Sequence, residues 1–441
     1  MSQLLKPGQV VTLGISGAKC QVKQFLGEGT QGEVHRADLG GKPVALKWYF
    51  PEYLTVDEKL QERIRMAIER GSPSDRFLWP IELASAPGLP SFGYIMPLRE
   101  PRFKSIIDMM KRRIEPSFRA VSTAGFELAH SYLQLHAKGL CYRDISFGNV
   151  FFDPGTGEVR ICDNDNVDID GNPGPIRGTP RFMAPEIVRN ESEPNARTDL
   201  FSLAVLLFHM FVMHHPLEGK KEAEIHALDH SAMCKLYGTE AIFIFDQNDT
   251  SNRPVPGIHD NALAFWPIYP QFLLNLFMRA FTDGIRDSNH GRVRESEWRE
   301  AMIRLRDSIV YCGHCGAESF YDMDALKQSS GVTLTCWACR KNLQLPPRIR
   351  IGDSVIMLNC DTQLYPHHID SNKVFDFSKP VAAVTRHPND PNIWGLKNLS
   401  GDKWVATKPG NPTLEIEPGR SLAMAIGTRV NFGNRQGEIR L

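Results

Sequence analysis

The chain has 441 residues, 42% of them hydrophobic and 23% charged, which excludes a disordered or fibrous protein and allows roughly two to four domains. Lysine plus arginine and aspartate plus glutamate both number 51, so no net charge draws the protein to nucleic acid or an anionic membrane. The first residues show no secretion signal, and the longest apolar stretch, Leu200 to Met213, is too short to span a bilayer. Nine cysteines, including two C-x-x-C pairs, complete the prediction of a cytoplasmic protein in a reducing compartment.

The N-terminal part reads as strands around a glycine-rich turn. Residues 6–14 alternate apolar and polar, and two further strands flank Gly27, Gly29 and Gly32 before a strand that carries Lys47. Without Cβ atoms, these glycines let backbone N–H groups approach phosphates closely. A lone G-x-G-x-x-G also fits a tight hairpin. Its position between strands favours phosphate binding, and the lack of a following helix argues against a dinucleotide site.

Helical and extended segments then alternate. The segment from Asp57 to Arg70 is predicted to be a helix whose glutamates could reach Lys47; spacing favours Glu62, and a solvated helix face is the alternative. Residues 77–81 and 92–98 are predicted strands. An apolar stripe after residue 117 predicts a helix that stops at Gly139.

The loop after that helix carries three polar side chains that can converge. Asp144 and Asn149 lie five residues apart, and Asp163 follows a short predicted hairpin. Two carboxylates and an amide in this layout suit a hydroxyl-activating base beside a metal-bound polyphosphate. On this segment alone, a polar hairpin with turn-forming residues remains an equal alternative.

Residues of about 20 to 308 resemble a eukaryotic-type protein kinase domain, because a whole series of motifs occurs in order. The resemblance implies an α+β, bilobal protein-kinase fold, with residues 1–98 as the N-terminal lobe and 99–308 as the C-terminal lobe. A longer than usual insertion covers about 217–267. The matching segments are Gly27-x-Gly29-x-x-Gly32-x-Val34, Val44-Ala45-Leu46-Lys47, Tyr142-Arg143-Asp144 with Asn149, Asp163-Asn164-Asp165, Gly178 to Ala184-Pro185-Glu186, Asp199 to Leu203, and Arg292.

The resemblance implies a role for each motif residue. Lys47, held by Glu62, would grip the phosphates of ATP, Asn149 and Asp163 would hold Mg²⁺, and Asp144 beside Arg143 would accept the substrate proton. Apolar residues would border the adenine, although plain core packing is the alternative for them. The remaining expected ATP-site residues are Leu26, Gly27, Gly29, Gly32, Val34, Ala45, Met96, Leu98 and Phe151.

Several positions depart from the family pattern. Tyr142 replaces a histidine, Ser146 replaces a lysine that touches the γ-phosphate, and Asn164 and Asp165 replace the Phe and Gly of the DFG triplet. We hypothesise that Asp165 adds to the metal site or its surroundings.

The segment between residues 163 and 178 contains no Ser, Thr or Tyr, which argues against switching by phosphorylation there. Asp168 and Asp170 could instead serve as fixed anions for Arg143. A plain turn at residues 170–174 is the alternative.

Residues 309–345 contain Cys312 and Cys315, a spacer of 20 residues, then Cys336 and Cys339. Two such pairs supply four thiolates for a structural Zn²⁺ ribbon, with disulfides as the alternative. A modest basic run, Arg340, Lys341, Arg348 and Arg350, could dock a partner or nucleic acid, but such a run is usually a solvated linker.

Residues 348–441 alternate short predicted strands with Gly, Asn and Pro turns, which predicts an all-β sandwich. The predicted strands are 354–358, 381–385, 394–398, 404–407, 413–416 and 429–432. The last of these are similar to the end of a forkhead-associated domain, a family that binds phosphothreonine peptides. The family's early Gly-Arg and Ser-x-x-His elements are not evident, and Arg386-His387 and His367-His368 are weak substitutes.

The chain is therefore predicted to be a Ser/Thr protein kinase that uses ATP and Mg²⁺ on protein substrates. It resembles soluble bacterial kinases of stress-linked gene clusters, which makes a PP2C-type phosphatase and a von Willebrand A protein candidate partners. The rival prediction is a pseudokinase scaffold, favoured by Ser146 and Asn164. A nucleic-acid-binding zinc protein is disfavoured by the zero net charge, and neither nucleic acid nor a membrane is an expected partner.

Overall fold

The computed structural model describes residues 3–322, 334–387, 389–408, 410 and 412–441, without the side chains of residues 391 and 392. It divides into two compact units. The first comprises Met1–Pro267 with Leu274–Met302, and the second comprises Ile268–Leu273 with Ile303–Leu441. None of the helices in the described ranges is both long enough and apolar enough to cross a membrane.

The first unit begins with an antiparallel sheet that closes into a barrel, in which the described strands have the order 1-2-3-4-6-5. Its interior is filled by a cluster that includes Val22, Leu46 and Trp48. The prediction of a strand at residues 77–81 is wrong, since Pro80 lacks the N–H that a ladder needs and the strand starts at Glu82. The barrel strands are Val10–Leu13, Lys19–Glu28, Gly32–Leu39, Lys42–Tyr49, Glu82–Ser85 and Phe92–Pro97.

Two helices, Pro51–Val56 and Leu60–Arg70, follow the fourth strand. The predicted start at Asp57 is too early, because the backbone N–H of Asp57 donates to the carbonyl of Tyr53 and closes the first helix. The second helix buries a stripe that includes Ile64 and Ala67. This stripe decides which polar residues of the helix face the barrel.

The rest of the first unit is built on two long helices. Phe118–Ala137 lies where the apolar stripe predicted a helix and is capped by Ser117, and Ala196–Val212 is capped by Asn195 and almost wholly buried. The other helices are shorter, and small strands support the loops between them. These elements are the helices Ile106–Met110, Pro185–Val188, Lys220–Ala223, His230–Cys234, Asp260–Phe265 and Asp283–Arg286, and the strands Lys104–Ser105, Leu140–Cys141, Val150–Phe152, Val159–Ile161 and Asp168–Ile169. The helices Gln271–Phe281 and Glu295–Asp307 contain residues of both units.

The second unit starts with paired strands, Ile309–Tyr311 and Glu318–Phe320. Two antiparallel sheets follow, and their buried apolar residues share one hydrophobic core. The helix Pro366–Ile369 lies between the first strands of the second sheet in sequence. In sheet order, the described strands are Ser354–Met357, Arg348–Ile351, Gln436–Arg440, Arg429–Asn431, Trp404–Thr407 and Leu414–Ile416, then Gln363–Leu364, Ala382–His387, Asp390–Asn398 and Ser421–Ala423.

Candidate active site

The loop from Tyr142 to Asn149 is held by a buried carboxylate on the long helix beneath it. Asp199 accepts the backbone N–H of Tyr142 at 2.5 Å and that of Arg143 at 2.9 Å. The Nε2 atom of His136 lies 3.0 Å from the same carboxylate, and Nδ1 contacts Glu295. Burial lowers the pKa of His136, but its bonds with Asp199 and Glu295 outweigh burial and raise the pKa to about 9. A charged histidine therefore helps to fix the loop.

Asp144 is oriented by three side chains. Thr179 donates its hydroxyl to Oδ1 at 2.7 Å, and Asn149 donates Nδ2 to Oδ2 at 3.0 Å and to the Asp144 carbonyl at 2.8 Å. Asn166 also approaches Oδ2 at 3.5 Å. Because Nδ2 of Asn149 is used in this way, the oxygen Oδ1 is the atom that Asn149 could offer to a cation.

Asp163 lies beside this loop in a left-handed backbone conformation, with φ of 48°. Its Oδ1 is 3.6 Å from the Lys47 ammonium, and its side chain is 42% exposed. Lys47 lowers the pKa of Asp163, but partial burial and the carboxylates of Asp165 and Asp144 outweigh it and raise the pKa. Two carboxylates, Asp163 and Asp165, face one lysine and leave excess negative charge, so the donor set fits Mg²⁺ at Asp163 and Asn149.

Lys47 is buried, and its ammonium contacts Asp165 and Gln31 where a glutamate of the following helix was expected. Its Nζ lies 2.7 Å from Oδ2 of Asp165 and 2.8 Å from Oε1 of Gln31. Burial lowers the pKa of Lys47, but Asp163 and Asp165 outweigh burial and raise it, so the ammonium is charged. The prediction that Glu62 holds Lys47 needs correction: Glu62 is exposed, because its neighbour Arg63 takes the buried side of the helix.

Asp165 is buried, and it contacts Lys47 and Tyr49, whereas the sequence predicted that it adds to the metal site. Its Oδ2 accepts bonds from Lys47 and from the hydroxyl of Tyr49, whereas Oδ1 has no hydrogen-bond partner among the described residues. Burial and the Asp165 carboxylate together hold the pKa of Tyr49 well above its ordinary value, so Tyr49 remains a donor. Asp165 therefore forms the ion pair with Lys47 directly.

Gln31 was missed by the sequence analysis. It lies in the glycine-rich turn, where its side chain accepts from Lys47 and donates to the hydroxyl of Tyr53 and to Asn166, both at 3.2 Å. A polar residue between two glycines of a phosphate-binding motif could have indicated such a contact. Gln31 thus fixes the turn over the lysine.

The glycines of that turn have different roles. The N–H of Gly29 donates to the Gly32 carbonyl at 2.9 Å and closes the turn. A Cβ at Gly32 would lie 2.2 Å from the Trp48 carbonyl, so this glycine is needed for strand packing. At Gly27 and Gly29 a Cβ would meet no atom within 4 Å. The open side of the turn is where phosphates would fit.

The expected adenine-site residues are mostly brought together. Ala45 and Met96 are cross-strand partners, and Val34 and Leu98 pack against the same cluster. Phe151 lies under the guanidinium of Arg99, 3.9 Å from the ring centre. Leu26 stands apart from that cluster as a 48% exposed residue on the glycine-rich hairpin.

The residues that depart from the family pattern keep the loop backbone in place. The hydroxyl of Tyr142 donates to the Cys162 carbonyl, and Nδ2 of Asn164 donates to the Ile161 carbonyl at 3.0 Å. Oδ1 of Asn164 has no partner within the described ranges. Ser146 is buried, and its carbonyl accepts the N–H of Asn149 at 3.3 Å.

Of the two carboxylates predicted to pair with Arg143, Asp168 does so and Asp170 does not. Nη2 of Arg143 lies 3.0 Å from Asp168 and donates to the Asn172 carbonyl at 2.6 Å. Asp170 does not join them, because its carboxylate accepts the N–H of Ala196 at 2.6 Å, at the start of the long buried helix.

The four cysteines form a compact cluster in the second unit, with all four sulfur atoms within 4.8 Å of one another. The Sγ distances are 3.7 Å for Cys312 to Cys339 and 3.7 Å for Cys315 to Cys336. A tetrahedral zinc with bonds of about 2.3 Å needs ligand sulfurs about 3.8 Å apart, and a disulfide needs about 2.05 Å. Backbone N–H groups of His314 and Cys315 lower the pKa of Cys312 to about 6, which favours a thiolate. The cluster fits zinc.

The suggested phosphate-binding residues of the C-terminal sheets are only partly free to bind a ligand. His368 is buried, accepts the N–H of Tyr365 at 2.8 Å and lies 3.3 Å from Asp307. His367 contacts the Asp376 carbonyl at 3.0 Å. Arg386 is exposed and stacks on Trp394 at 4.6 Å, with His387 exposed beside it. The histidine pair is therefore committed to the fold.

Comparison with known proteins agrees with the motif series. The model of the protein kinase domain family matches residues 101–266. The chain is 36% identical over 105 residues to a putative protein kinase C delta type homolog of Drosophila melanogaster, covering 23% of this chain and 15% of that protein. It is 27% identical over 227 residues to protein kinase C delta type of Rattus norvegicus, covering 47% and 32%. CBL-interacting protein kinase 4 of Oryza sativa subsp. japonica is 29% identical over 121 residues, covering 26% of each chain.

The chain thus spans only a third or less of the length of these relatives. The prediction of a protein kinase domain is confirmed by the family match, which includes Asp144, Asn149 and Asp163. The lysine-bearing barrel lies before the matched residues.

Proposed function

We propose that this chain is a protein kinase that transfers the γ-phosphate of ATP, with Mg²⁺, to Ser or Thr hydroxyls of protein substrates. One observation carries the proposal: Asp144, Asn149, Asp163 and Lys47 meet around one site, although they lie far apart in sequence. A scaffold that only binds nucleotide needs neither a positioned base nor both metal ligands.

The residues divide the work of phosphoryl transfer. Asp144 accepts the proton of the substrate hydroxyl, whose oxygen bonds to the γ-phosphorus as the bond from that phosphorus to its ADP oxygen breaks. Thr179 and Asn149 keep the Asp144 carboxylate in place for this step. Lys47 holds the phosphates, and Asn149 and Asp163 would hold the metal. When bound, Mg²⁺ neutralises the charge of the phosphates.

The second unit adds a structural zinc site in this proposal. Cys312 and Cys336 belong to a buried apolar cluster with Val310 and Tyr321, so a metal bound by their sulfurs would stabilise that small core. A small domain gains folding free energy directly from such a site.

The finer parts of the proposal come from the family resemblance. They are a soluble bacterial kinase in the cytoplasm, a role in stress signalling, a PP2C-type phosphatase and a von Willebrand A protein as partners, and phosphothreonine peptides at forkhead-associated-like sheets. Of the residues suggested for such peptides, exposed Arg386 is the one that supports phosphate binding.

The proposal is tested by incubating the protein with γ-labelled ATP and a mixed protein acceptor, with Mg²⁺ or with excess chelator. We expect label on the kinase or the acceptor only with Mg²⁺, and acid hydrolysis should return phosphoserine or phosphothreonine. Bound ATP without transfer would favour the scaffold, and phosphotyrosine alone would contradict the assigned acceptor.

A further inference from the structure

We propose that Asp165 is the residue that positions Lys47 toward the nucleotide phosphates, in place of a glutamate on the neighbouring helix. This inference rests on the proposed function and deepens it. In protein kinases the lysine of this strand is held by a helix glutamate, and the ion pair must form before phosphates are gripped. Here the carboxylate comes from the segment that also carries Asp163.

The side-chain contacts of Asp165 converge on one of its two carboxylate oxygens. Its Oδ2 lies 2.7 Å from Nζ of Lys47 and accepts the Tyr49 hydroxyl. The side chains of Lys47 and Asp165 are 5% and 0% exposed, so the pair is removed from solvent and is weakly screened by salt. Lys47 and Tyr49 lie on the same strand, two residues apart, so their side chains point to the same face. One carboxylate oxygen thereby fixes the direction of the ammonium.

The helix Leu60–Arg70 supports Asp165 instead of competing with it. Glu62 is exposed, and the next residue, Arg63, turns inward. Its Nε donates to the backbone carbonyl of Asp165 at 3.3 Å, and its other nitrogens pair with Asp57 at 3.1 and 2.6 Å. A cation on the helix therefore holds the segment that supplies the anion. In the family pattern the helix supplies the anion, whereas here the helix supplies a cation and the segment after Asp163 supplies the anion.

This arrangement separates two carboxylates that are only two residues apart. Asp165 points into the lysine cluster, whereas the 42% exposed side chain of Asp163 lies 3.6 Å from Lys47 on the open side. Asp163 is thus available to a metal while Asp165 is not needed for it. Asp165 is a positioning residue, because it acts on phosphate only through Lys47.

The test compares how the full-length protein binds ATP and adenosine, measured by calorimetry with chelator present so that no metal contributes. Adenosine has no phosphate, so its affinity does not depend on Lys47. Asp165→Asn keeps the size of the side chain and removes its charge. We expect it to weaken ATP binding about 10-fold and to leave adenosine binding within about twofold. The matched control is Glu69→Gln, which changes an exposed carboxylate on the helix Leu60–Arg70. We expect its affinities for ATP and for adenosine to equal those of the wild type.

A second variant keeps the proposal testable if Asp165→Asn does not fold. Tyr49→Phe removes one donor to Asp165 while keeping the ring, and we expect ATP binding to fall about threefold with adenosine binding unchanged. Equal losses for ATP and adenosine would show a merely structural role. The proposal would also be overturned if Glu62→Gln weakened ATP binding and Asp165→Asn did not. The same holds if the wild type bound ATP no more tightly than adenosine. If the wild type transfers no phosphate but shows the expected affinity ratios, the lysine assignment stands and the proposed kinase reaction fails.

Discussion

The guanidinium of Arg143 lies 3.0 Å from the carboxylate of Asp168, and both side chains are buried. Many kinases obtain an anion at this position by phosphorylating a loop residue, which orders the loop through new arginine pairs. In this chain the anion is part of the sequence. The pair joins the loop that carries Asp144 to the segment that carries Asp163.

Asp168→Asn should therefore lower the rate of phosphate transfer about 10-fold, because a buried charge-assisted bond to Arg143 is lost. Asp170→Asn is the control, since Asp170 contacts a helix N-terminus and an amide oxygen can accept the same bond. Initial rates at saturating ATP measure the effect. Equal rates for Asp168→Asn and the wild type would show that the anion does not order the loop.

Glu186 and Arg292 form a further ion pair in the first unit, and the guanidinium of Arg292 is buried. Nη2 of Arg292 lies 2.8 and 2.7 Å from the two carboxylate oxygens of Glu186. Glu186→Gln should lower the free energy of unfolding by about 3 kcal/mol, since it leaves a buried guanidinium without its counter-charge. Chemical denaturation measures this loss. The control variant is Glu191→Gln, because Glu191 is exposed and pairs with Arg189. This variant should unfold like the wild type.

Stability should depend on pH through His136. Its pKa is raised to about 9 in the folded protein, above the ordinary 6.5, so its contribution is complete below pH 6.5 and is lost as pH rises through 9. The difference corresponds to about 3 kcal/mol. Thermal unfolding midpoints between pH 6 and 10 should fall more steeply for the wild type than for His136→Gln. Parallel curves would contradict the charged state of His136.

The cysteine cluster should hold one zinc ion per chain, because its four sulfurs have tetrahedral spacing. Elemental analysis of Cys315→Ser should show loss of the metal, and its second unit should become sensitive to protease. Cys360→Ser, at an exposed cysteine outside the cluster, should keep the zinc. Metal-free wild type that resists protease equally would exclude a structural role.

The sequence predicted best those residues whose roles depend on local spacing. Asp144 and Asn149 lie five residues apart in one loop, and their contact follows from that loop. The partner of Lys47 could not be predicted in this way, because Asp165 is 118 residues away. Helical spacing showed that the helix could supply a carboxylate, but burial of Arg63 decided which side chain faces the lysine.

The C-terminal sheets show a different reason for error. Arg348–Ile351 alternates exposed or half-buried arginines with buried isoleucines, which is the period of a strand. The basic run hides that period in the sequence and favours interpretation as a solvated linker. The strand Gln436–Arg440, which pairs with it, was missed for the same reason, since outward-facing charges separate its apolar positions.

The rate of γ-phosphate transfer by Asp144→Asn, relative to the wild type, tests the central claim most directly. Both proteins are measured at saturating ATP and Mg²⁺, and their affinities for ATP are determined on the same samples. Removing the base should reduce the rate at least about 100-fold, with ATP affinity unchanged within about twofold. Equal transfer rates for the two proteins would contradict the assignment of Asp144 and with it the proposed reaction centre.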